Sequence, residues 1–311
     1  MIGMQRNSAI VIGLAVVVLA IVIGFVLFGS SGTPASSPSP EASESAAPSA
    51  SASLNAELLD RRWTVLYVGT DQNAQREANG EPVNADALLL ASLSADQSQL
   101  TLVSLPRDTV DVPLADGGTW PDKINSLYSE GGIDELVGAM ETLFGVPIDV
   151  HLVLDMDDFQ RLVDAACGIE VSPPDPLVDP KVSLDLPAGD QELDGQQTLG
   201  YVRTRVDQDY GRMGRQQEAS VALVRKLVDP DTDLDIREVI DSLQSLETDL
   251  PLDDLPTLFE LARRASDAEV HNLLIQPPLI TFEGDRGDGR GYILEADVDA
   301  IRAEVQELIG D

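Results

Sequence analysis

The fold is decided by three apolar runs that follow one another closely: RRWTVLYVGTD at residues 61–71, ADALLLASLS at residues 85–94 and QLTLVSLPRD at residues 99–108. Each run has the length and composition of a buried β-strand. The polar segment SADQSQ, residues 94–99, predicts a hairpin-like turn between the second and third strands. Asp71 and Arg107 then fall just past the ends of two strands, which is where open α/β sheets place their ligands.

Helices and short strands alternate downstream of these runs. Apolar residues at helical spacing predict helices over residues 133–145, 156–168, 194–205 and 211–229, and near residues 236–247, 253–266 and 295–309. Further strands are predicted within PIDVHLVLD (147–155) and HNLLIQ (271–276), and GIEV (168–171) is expected to be short and extended. Strands that alternate with helices predict the α/β class, with a layered α/β/α domain over residues 56–311.

The residues that precede this domain have a different composition. Residues 9–28 carry no charge, and twenty helical residues span about 30 Å, which predicts a transmembrane helix. A cleaved signal peptide, the alternative, has a shorter apolar region followed closely by small residues. Arg6 lies on the amino side, so the positive-inside rule predicts a cytoplasmic tail at residues 1–8 and an extracellular remainder. Residues 29–55, rich in Ser, Ala and Pro, predict a disordered linker.

Positive charge is scarce in this chain and is concentrated in one segment. The chain has 20 Lys and Arg residues against 54 Asp and Glu, a formal net charge of −34, which argues against a nucleic-acid partner. The segment YVRTRVDQDYGRMGRQQ, residues 201–217, nevertheless contains four arginines. Guanidinium matches phosphate oxygens in pairs, so the cluster predicts a phosphate site, with surface ion pairs as the alternative. Arg212 and Arg215 are three apart on a predicted helix, so both are expected to face one ligand.

Other reactive residue types indicate structural roles. The chain has no Gly-rich P-loop, no GxSxG and no HExxH, and its two histidines are too few for a histidine zinc site. His151 is expected to be a structural histidine in a strand. Cys167 excludes an intramolecular disulfide and is expected to be a small buried hydrophobe. The acidic run at residues 229–235 lacks the glycine and glutamate of a calcium loop and predicts a solvated loop before a helix. The acidic residues around Asp155 predict a helix N-terminus.

Several motifs occur in a recognisable order: LYVGTD, NADALLL, SLPRD, DKIN, ETLFGVPID, GIEV, LDGQQTLGYVRTR and DYGRMGRQQ. Together they resemble the LytR-CpsA-Psr (LCP) family over about residues 62–228. The resemblance implies a layered α/β/α domain with a central mixed sheet, preceded by a membrane anchor. It also implies a phosphotransferase that moves a glycopolymer from polyprenyl pyrophosphate to a peptidoglycan hydroxyl, with the lipid in an apolar pocket. Mg²⁺, or Mn²⁺ in its place, would assist at the pyrophosphate.

The resemblance also assigns roles to individual residues. The implied catalytic residues are Arg107, Arg203, Arg205, Asp108 and Asp209. The implied phosphate and head-group ligands are Lys123, Arg212, Arg215, Gln216 and Asn84. Asp71 and Asp86 match the family's metal-binding aspartates. Asn84 stands where the family usually carries an arginine, and Arg76 in the preceding loop is the candidate to replace it.

Other functions remain open at this point. A non-catalytic protein that binds polyprenyl phosphate or an anionic polymer is favoured by Asn84. A carrier-lipid pyrophosphatase would differ only in that water, rather than a sugar hydroxyl, attacks. A regulator acting through the cytoplasm is disfavoured, because about eight residues before the anchor cannot form a DNA-binding domain. The acidic region at residues 229–311 lies outside the match and carries little functional information.

Overall fold

The computed structural model describes residues 54–244, 246–250 and 254–309. The predicted cytoplasmic tail, the transmembrane helix at residues 9–28 and all but the last two residues of the predicted linker lie outside these ranges. Within the described ranges, no helix has both the length and the apolar composition that are needed to span a bilayer.

Short strands and helices follow one another along the described part of the chain. The strands are β1 (Trp63–Thr70), β2 (Ala85–Leu93), β3 (Gln99–Ser104), β4 (Thr109–Val110), β5 (Val112–Pro113), β6 (Thr119–Trp120), β7 (Val150–Leu154), β8 (Ile169–Val171), β9 (Leu177–Asp179), β10 (Leu184–Leu186), β11 (Gln191–Leu193), β12 (Glu247–Thr248), β13 (Glu269–Leu274), β14 (Ile280–Asp285) and β15 (Tyr292–Ala296). The helices are α1 (Ala56–Leu59), α2 (Ala74–Asn79), α3 (Ile124–Phe144), α4 (Met156–Ala165), α5 (Gly195–Arg203), α6 (Gln208–Val228), α7 (Ile236–Gln244), α8 (Leu255–Ser266) and α9 (Val298–Ile309).

A mixed sheet with the strand order β12-β7-β1-β2-β3-β13 forms the centre of the domain. Strand β2 is antiparallel to both β1 and β3, whereas β7 is parallel to β1 and β13 is parallel to β3. Strands β1, β3, β7 and β13 therefore all end at the same edge of the sheet, and β2 begins there. We call this the carboxyl edge. It brings the residues that follow β1 and β3 together with the first residues of β2.

Helices cover both faces of the sheet, as the layered α/β/α prediction required. Along each central strand, alternate side chains enter two separate cores. Val65 and Leu89 pack with helices α4 to α8, whereas Leu66 and Leu88 pack with α3 and α9. Because both faces are buried, the strands read as continuous apolar runs rather than as alternating patterns.

Several predicted elements are confirmed, with adjusted boundaries. Helix α3 ends at Gly145, which takes the left-handed conformation (φ 70°) that a helix C-cap favours. It begins at Ile124, earlier than predicted, and is interrupted at Gly132, where φ is 81°. Asp155 caps α4 by accepting a hydrogen bond from the Asp158 amide at 2.7 Å. The strands β14 and β15 were not predicted.

The expectations for the single cysteine, for His151 and for the acidic loop have different outcomes. Cys167 is exposed, so the expectation of a buried cysteine is wrong; its thiol donates to the carbonyl of Asp233 at 3.1 Å. His151 lies on β7 with Nδ1 3.2 Å from Asp249 Oδ1, a structural pair. Residues 229–235 form the predicted loop, and Asp235 accepts from the first amides of α7.

Candidate active site

A cavity of about 250 Å³ opens at the carboxyl edge, between the sheet and helices α4, α5 and α6. We call it the first cavity. Part of its lining is apolar and comes from β1, β2, β7, α4, α5 and the turn after β9: Tyr67, Ala87, Leu154, Met156, Phe159, Val182, Leu199 and Val202. A charged part comes from the strand ends and from the α5–α6 segment: Asp71, Asp86, Asp155, Arg107, Arg203, Arg205 and Arg212. An apolar ligand with an anionic head group matches this combination.

Gly69 keeps this part of the sheet tightly packed. A Cβ atom on this residue would lie only 3.0 Å from the Ala87 Cβ and 3.4 Å from the Tyr67 hydroxyl. A side chain here would force these neighbours to shift by a few tenths of an ångström next to the cavity.

The charged lining is organised around two carboxylates. Arg107 forms an ion pair with Asp86, and Arg212 donates to the Asp86 carbonyl at 3.0 Å. Arg205 Nε and Arg212 Nη2 each lie 3.2 Å from the same oxygen of Asp209. Asp86 and Asp209 thus hold three guanidinium groups close together, despite the mutual repulsion of the cations.

Arg212 shows the cost of this arrangement. The residue is 3% exposed, and its Nε is buried without a hydrogen-bond partner among the described residues. Burial lowers the pKa of Arg212 to about 10; Asp209 opposes the shift, and the nearby Arg205 and Arg107 add to it. Arg212 still carries its charge at neutral pH, so the cavity presents a poorly solvated cation that an anion would stabilise.

Arg203 differs from the other three arginines. It is exposed, it lines the first cavity, and no hydrogen bond or ion pair ties it to any other described residue. It follows that all donors of its guanidinium group are available to a ligand.

Arg215 does not line the first cavity. Its Nε donates to the Tyr201 carbonyl at 2.8 Å, its Nη2 to the Thr204 carbonyl at 2.6 Å, and its Nη1 to Asp207 at 2.5 Å. It thus binds the carbonyls at the end of α5, and the expectation that Arg212 and Arg215 face one ligand is not met. Gln216 does line the first cavity, with its amide nitrogen 3.3 Å from the Val202 carbonyl.

Asp71 is held from two sides. Asn84 donates to its carboxylate through the backbone amide at 2.7 Å and through the side-chain amide at 3.0 Å. Arg76 Nη2, from helix α2, lies 2.9 Å from the same carboxylate. A guanidinium group therefore accompanies Asp71 although position 84 is an asparagine.

A second cavity of about 360 Å³ adjoins the first and shares Arg107 and Arg205 with it. Its other lining residues are Asp108, Lys123, Gln208, Asp209, Tyr210, Glu283, Tyr292 and Leu294. Asp108 is buried, and Lys123 Nζ lies 2.9 Å from its carboxylate. The sequence reasoning missed Glu283 and Tyr292, because no local pattern connects residues 280–296 with the arginine motifs.

A family model describing the LytR_cpsA_psr family matches residues 26–304 of the chain. The chain belongs to the LytR_cpsA_psr family. The match extends well past residue 228, where the resemblance of the motifs ended. The C-terminal region that supplies Glu283 and Tyr292 is therefore part of the family domain.

Known proteins similar to this LytR_cpsA_psr chain act in cell-wall assembly according to their names. This chain is 31% identical over 198 residues to the polyisoprenyl-teichoic acid–peptidoglycan teichoic acid transferase TagU of Enterococcus faecalis. The alignment covers 62% of this chain and 63% of TagU. The chain is 40% identical over 135 residues to the probable cell wall biosynthesis protein LcpB of Corynebacterium glutamicum, covering 42% of this chain and 32% of LcpB. Both alignments span less than two thirds of the relative's length.

The crystal structure of Bacillus subtilis TagV has the same fold. It superposes with a TM-score of 0.63 at 24% identity, covering 80% of this chain and 98% of that chain. The central mixed sheet of this LytR_cpsA_psr domain is therefore shared with a solved structure.

The donor set of the first cavity is compatible with the magnesium ion that the family implies. Asp71 and Asp86 both line the cavity, beside the arginines that would hold phosphate. The described residues contain no group of three or more His, Cys, Asp or Glu side chains placed to hold a metal. Mg²⁺ commonly takes only one or two protein carboxylates and completes its shell with phosphate and water. Two carboxylates beside these arginines satisfy that requirement.

Proposed function

We propose that this protein is a phosphotransferase that moves a glycopolymer from a polyprenyl pyrophosphate carrier to a hydroxyl of peptidoglycan, with formation of a phosphodiester. The first cavity carries the proposal, because it combines an apolar lining with four arginines at one sheet edge. A polyprenyl pyrophosphate has the same two parts, an apolar chain and a multiply charged head group. TagU, a relative in the same family, is named for a transfer of this class.

The transfer breaks one bond and forms one. The acceptor hydroxyl oxygen attacks the phosphorus that carries the glycopolymer, and the bond from this phosphorus to the bridging oxygen breaks. Polyprenyl phosphate leaves with that electron pair, and the hydroxyl proton is released. Negative charge spreads over the phosphate oxygens in the transition state, so Arg107, Arg203 and Arg205 would lower the barrier by cationic stabilisation.

Two carboxylates near the cations are available to position groups or to take up the proton. Asp108 is paired with Lys123, and Asp209 is shared by Arg205 and Arg212. Both line the second cavity, beside Arg107 and Arg205. Their main role in this proposal is to orient the cations, and either could accept the proton of the acceptor hydroxyl.

Asp71 and Asp86 are the residues that would hold Mg²⁺, or Mn²⁺ in its place. The bound ion would neutralise charge on the pyrophosphate oxygens. Because Arg76 already contacts Asp71 and Arg107 contacts Asp86, each carboxylate would share its negative charge between a guanidinium group and the metal.

The location that we propose follows from the substrates and from the N-terminal sequence. Residues 9–28 would anchor the protein in the cell membrane with its N-terminus in the cytoplasm. The domain would then lie at the outer face of the membrane. From there the linker would let it reach both a lipid carrier in the membrane and peptidoglycan.

The test uses the full chain in lipid nanodiscs with Mg²⁺, a polyprenyl pyrophosphate-linked saccharide and peptidoglycan fragments. Covalent sugar-phosphate attachment is followed by mass spectrometry for the wild type, for Arg107→Ala and for the control Arg263→Ala. Arg263 lies on α8 and pairs with Glu260. Attachment that is lost only in Arg107→Ala supports the proposal. Release of the carrier lipid without attachment would indicate a pyrophosphatase. Lipid binding without cleavage would indicate a binding protein.

A further inference from the structure

The second cavity has features that phosphate chemistry alone does not require. Its lining contains two tyrosines, and its cationic side chains, Arg107, Lys123 and Arg205, are matched by as many carboxylates. The first cavity instead has four arginines against three carboxylates, an excess of one positive charge. A neutral, hydroxyl-rich ligand suits the balanced lining of the second cavity better than a second phosphate group does.

Glu283 lines the second cavity and is the acceptor that its two tyrosines share. The Tyr210 hydroxyl donates to one of its carboxylate oxygens at 3.1 Å, and the Tyr292 hydroxyl donates to the other. Partial desolvation, together with the neighbouring Glu283, raises the pKa of both phenols above their usual range, so both stay protonated and keep donating. A carboxylate has about four acceptor sites, so roughly two remain for a ligand.

The strands that carry Glu283 and Tyr292 are fixed to the loop that carries Arg107 and Asp108. Strand β15 pairs in parallel with β4, and the Leu294 amide donates to the Asp108 carbonyl at 3.0 Å. Strand β14 pairs with β15, which places Glu283 opposite Leu294. Glu283 and Tyr292 therefore have a defined position relative to the cations that both cavities share.

We propose that the second cavity is the acceptor subsite, where a saccharide of the acceptor glycan binds between the aromatic side chains Tyr210 and Tyr292 and donates hydroxyl hydrogen bonds to Glu283. Aromatic rings with a polar tip combine apolar contact with hydrogen bonding, as the alternating faces and hydroxyls of a sugar require. A hydroxyl bound here would lie next to Arg107 and Arg205 and thus near a phosphate held in the first cavity. The assignment rests on the proposed transferase function.

The test separates acceptor binding from donor binding. Transfer is measured with the full chain in nanodiscs while the concentrations of a soluble peptidoglycan disaccharide and of the lipid-linked donor are varied in turn. We expect Glu283→Ala and Tyr292→Ala to raise the acceptor KM at least tenfold and to change the donor KM less than twofold. The conservative variants Glu283→Gln and Tyr292→Phe, which should fold normally, are expected to raise the acceptor KM by a smaller factor.

Tyr128→Phe provides a matched control, because Tyr128 also donates to a glutamate, Glu247, at 2.7 Å, but lines neither cavity. An unchanged acceptor KM in Glu283→Ala, or an equal rise in the donor KM, would overturn the assignment. If the wild type shows no transfer, binding of the disaccharide is measured directly by calorimetry. Binding that Glu283→Ala abolishes would then keep the subsite while the transferase proposal fails. An absence of binding in the wild type would refute the subsite.

Discussion

Two regions at the start of α6 contain buried arginines in different states. In the first cavity, Arg212 has a buried Nε without a partner and a pKa that burial has lowered to about 10. The α5–α6 corner is the connection at residues 204–207 together with Arg215, which packs against it. Arg215 is also buried, at 6% exposed, yet two backbone carbonyls and Asp207 accept hydrogen bonds from its guanidinium group.

This difference indicates what each arginine does. A guanidinium group whose donors are satisfied by backbone carbonyls contributes to the fold, because its removal leaves those carbonyls buried without a partner. A guanidinium group with spare donors in a cavity is poised for a ligand instead, at some cost in stability. Arg203, which has no partner among the described residues, belongs to the second kind.

The largest effect is expected when Arg203 is removed. Arg203→Ala should lower the rate of transfer by about 1,000-fold, because one donor to the developing phosphate charge is lost. The free energy of unfolding should change by less than about 0.5 kcal/mol, since the residue is exposed and unpaired. Turnover assays and urea denaturation measure the two quantities, with Arg263→Ala as the control. A loss of stability as large as the loss of activity would mean that Arg203, like Arg215, stabilises the fold.

The next largest effect should be a loss of stability when Arg215, at the α5–α6 corner, is replaced. Arg215→Met is expected to lower the free energy of unfolding by about 3 kcal/mol, because two carbonyls and Asp207 lose their charged donor. Urea denaturation measures this loss. Transfer by the remaining folded protein should stay near the wild-type rate. A loss of transfer without a loss of stability would restore Arg215 to the phosphate site that the sequence predicted.

Arg212→Met should separate function from stability. Transfer is expected to fall about 100-fold, whereas the free energy of unfolding at pH 7 should fall by less than about 1 kcal/mol, since the buried charge itself opposes folding.

The pH dependence of stability shows whether the buried charge of Arg212 opposes folding. The pKa of Arg212 is lower in the folded protein than the ordinary value of 12.5, so above about pH 10 the unfolded chain holds more protons at this residue. The stability of the wild type relative to Arg212→Met should therefore rise as the pH passes 10. Urea denaturation of both proteins between pH 7 and pH 10.5 tests this, and a falling difference would contradict it.

The smallest effect concerns Arg76 and its partner Asp71. Arg76→Ala removes a cation that lies 2.9 Å from the Asp71 carboxylate and would compete for it with the proposed metal. The Mg²⁺ concentration for half-maximal transfer should therefore fall by a few fold, which corresponds to about 1 kcal/mol for a partly exposed pair. A magnesium titration of the transfer rate provides the measurement. An increased requirement would mean that Arg76 supports the phosphate rather than opposing the metal.

The sequence by itself determined the local elements and the family, and it singled out most of the charged residues that line the two cavities. The apolar runs after residues 61, 85 and 99 became the central strands, and the capping residues Asp155 and Gly145 lie where helices begin and end. These features depend on neighbouring residues, so a single sequence is enough to predict them. The LytR-CpsA-Psr resemblance is confirmed by the family match.

Only the tertiary structure decided which buried arginine lines the first cavity and which distant residues line the second. Arg212 and Arg215 have suitable helical spacing for one face, but the carbonyls at the end of α5 bind Arg215. Glu283 and Tyr292 reach the arginines because β15 pairs with β4, far away in sequence. Local patterns predict local geometry, whereas the donors and acceptors that meet across the fold depend on long-range packing.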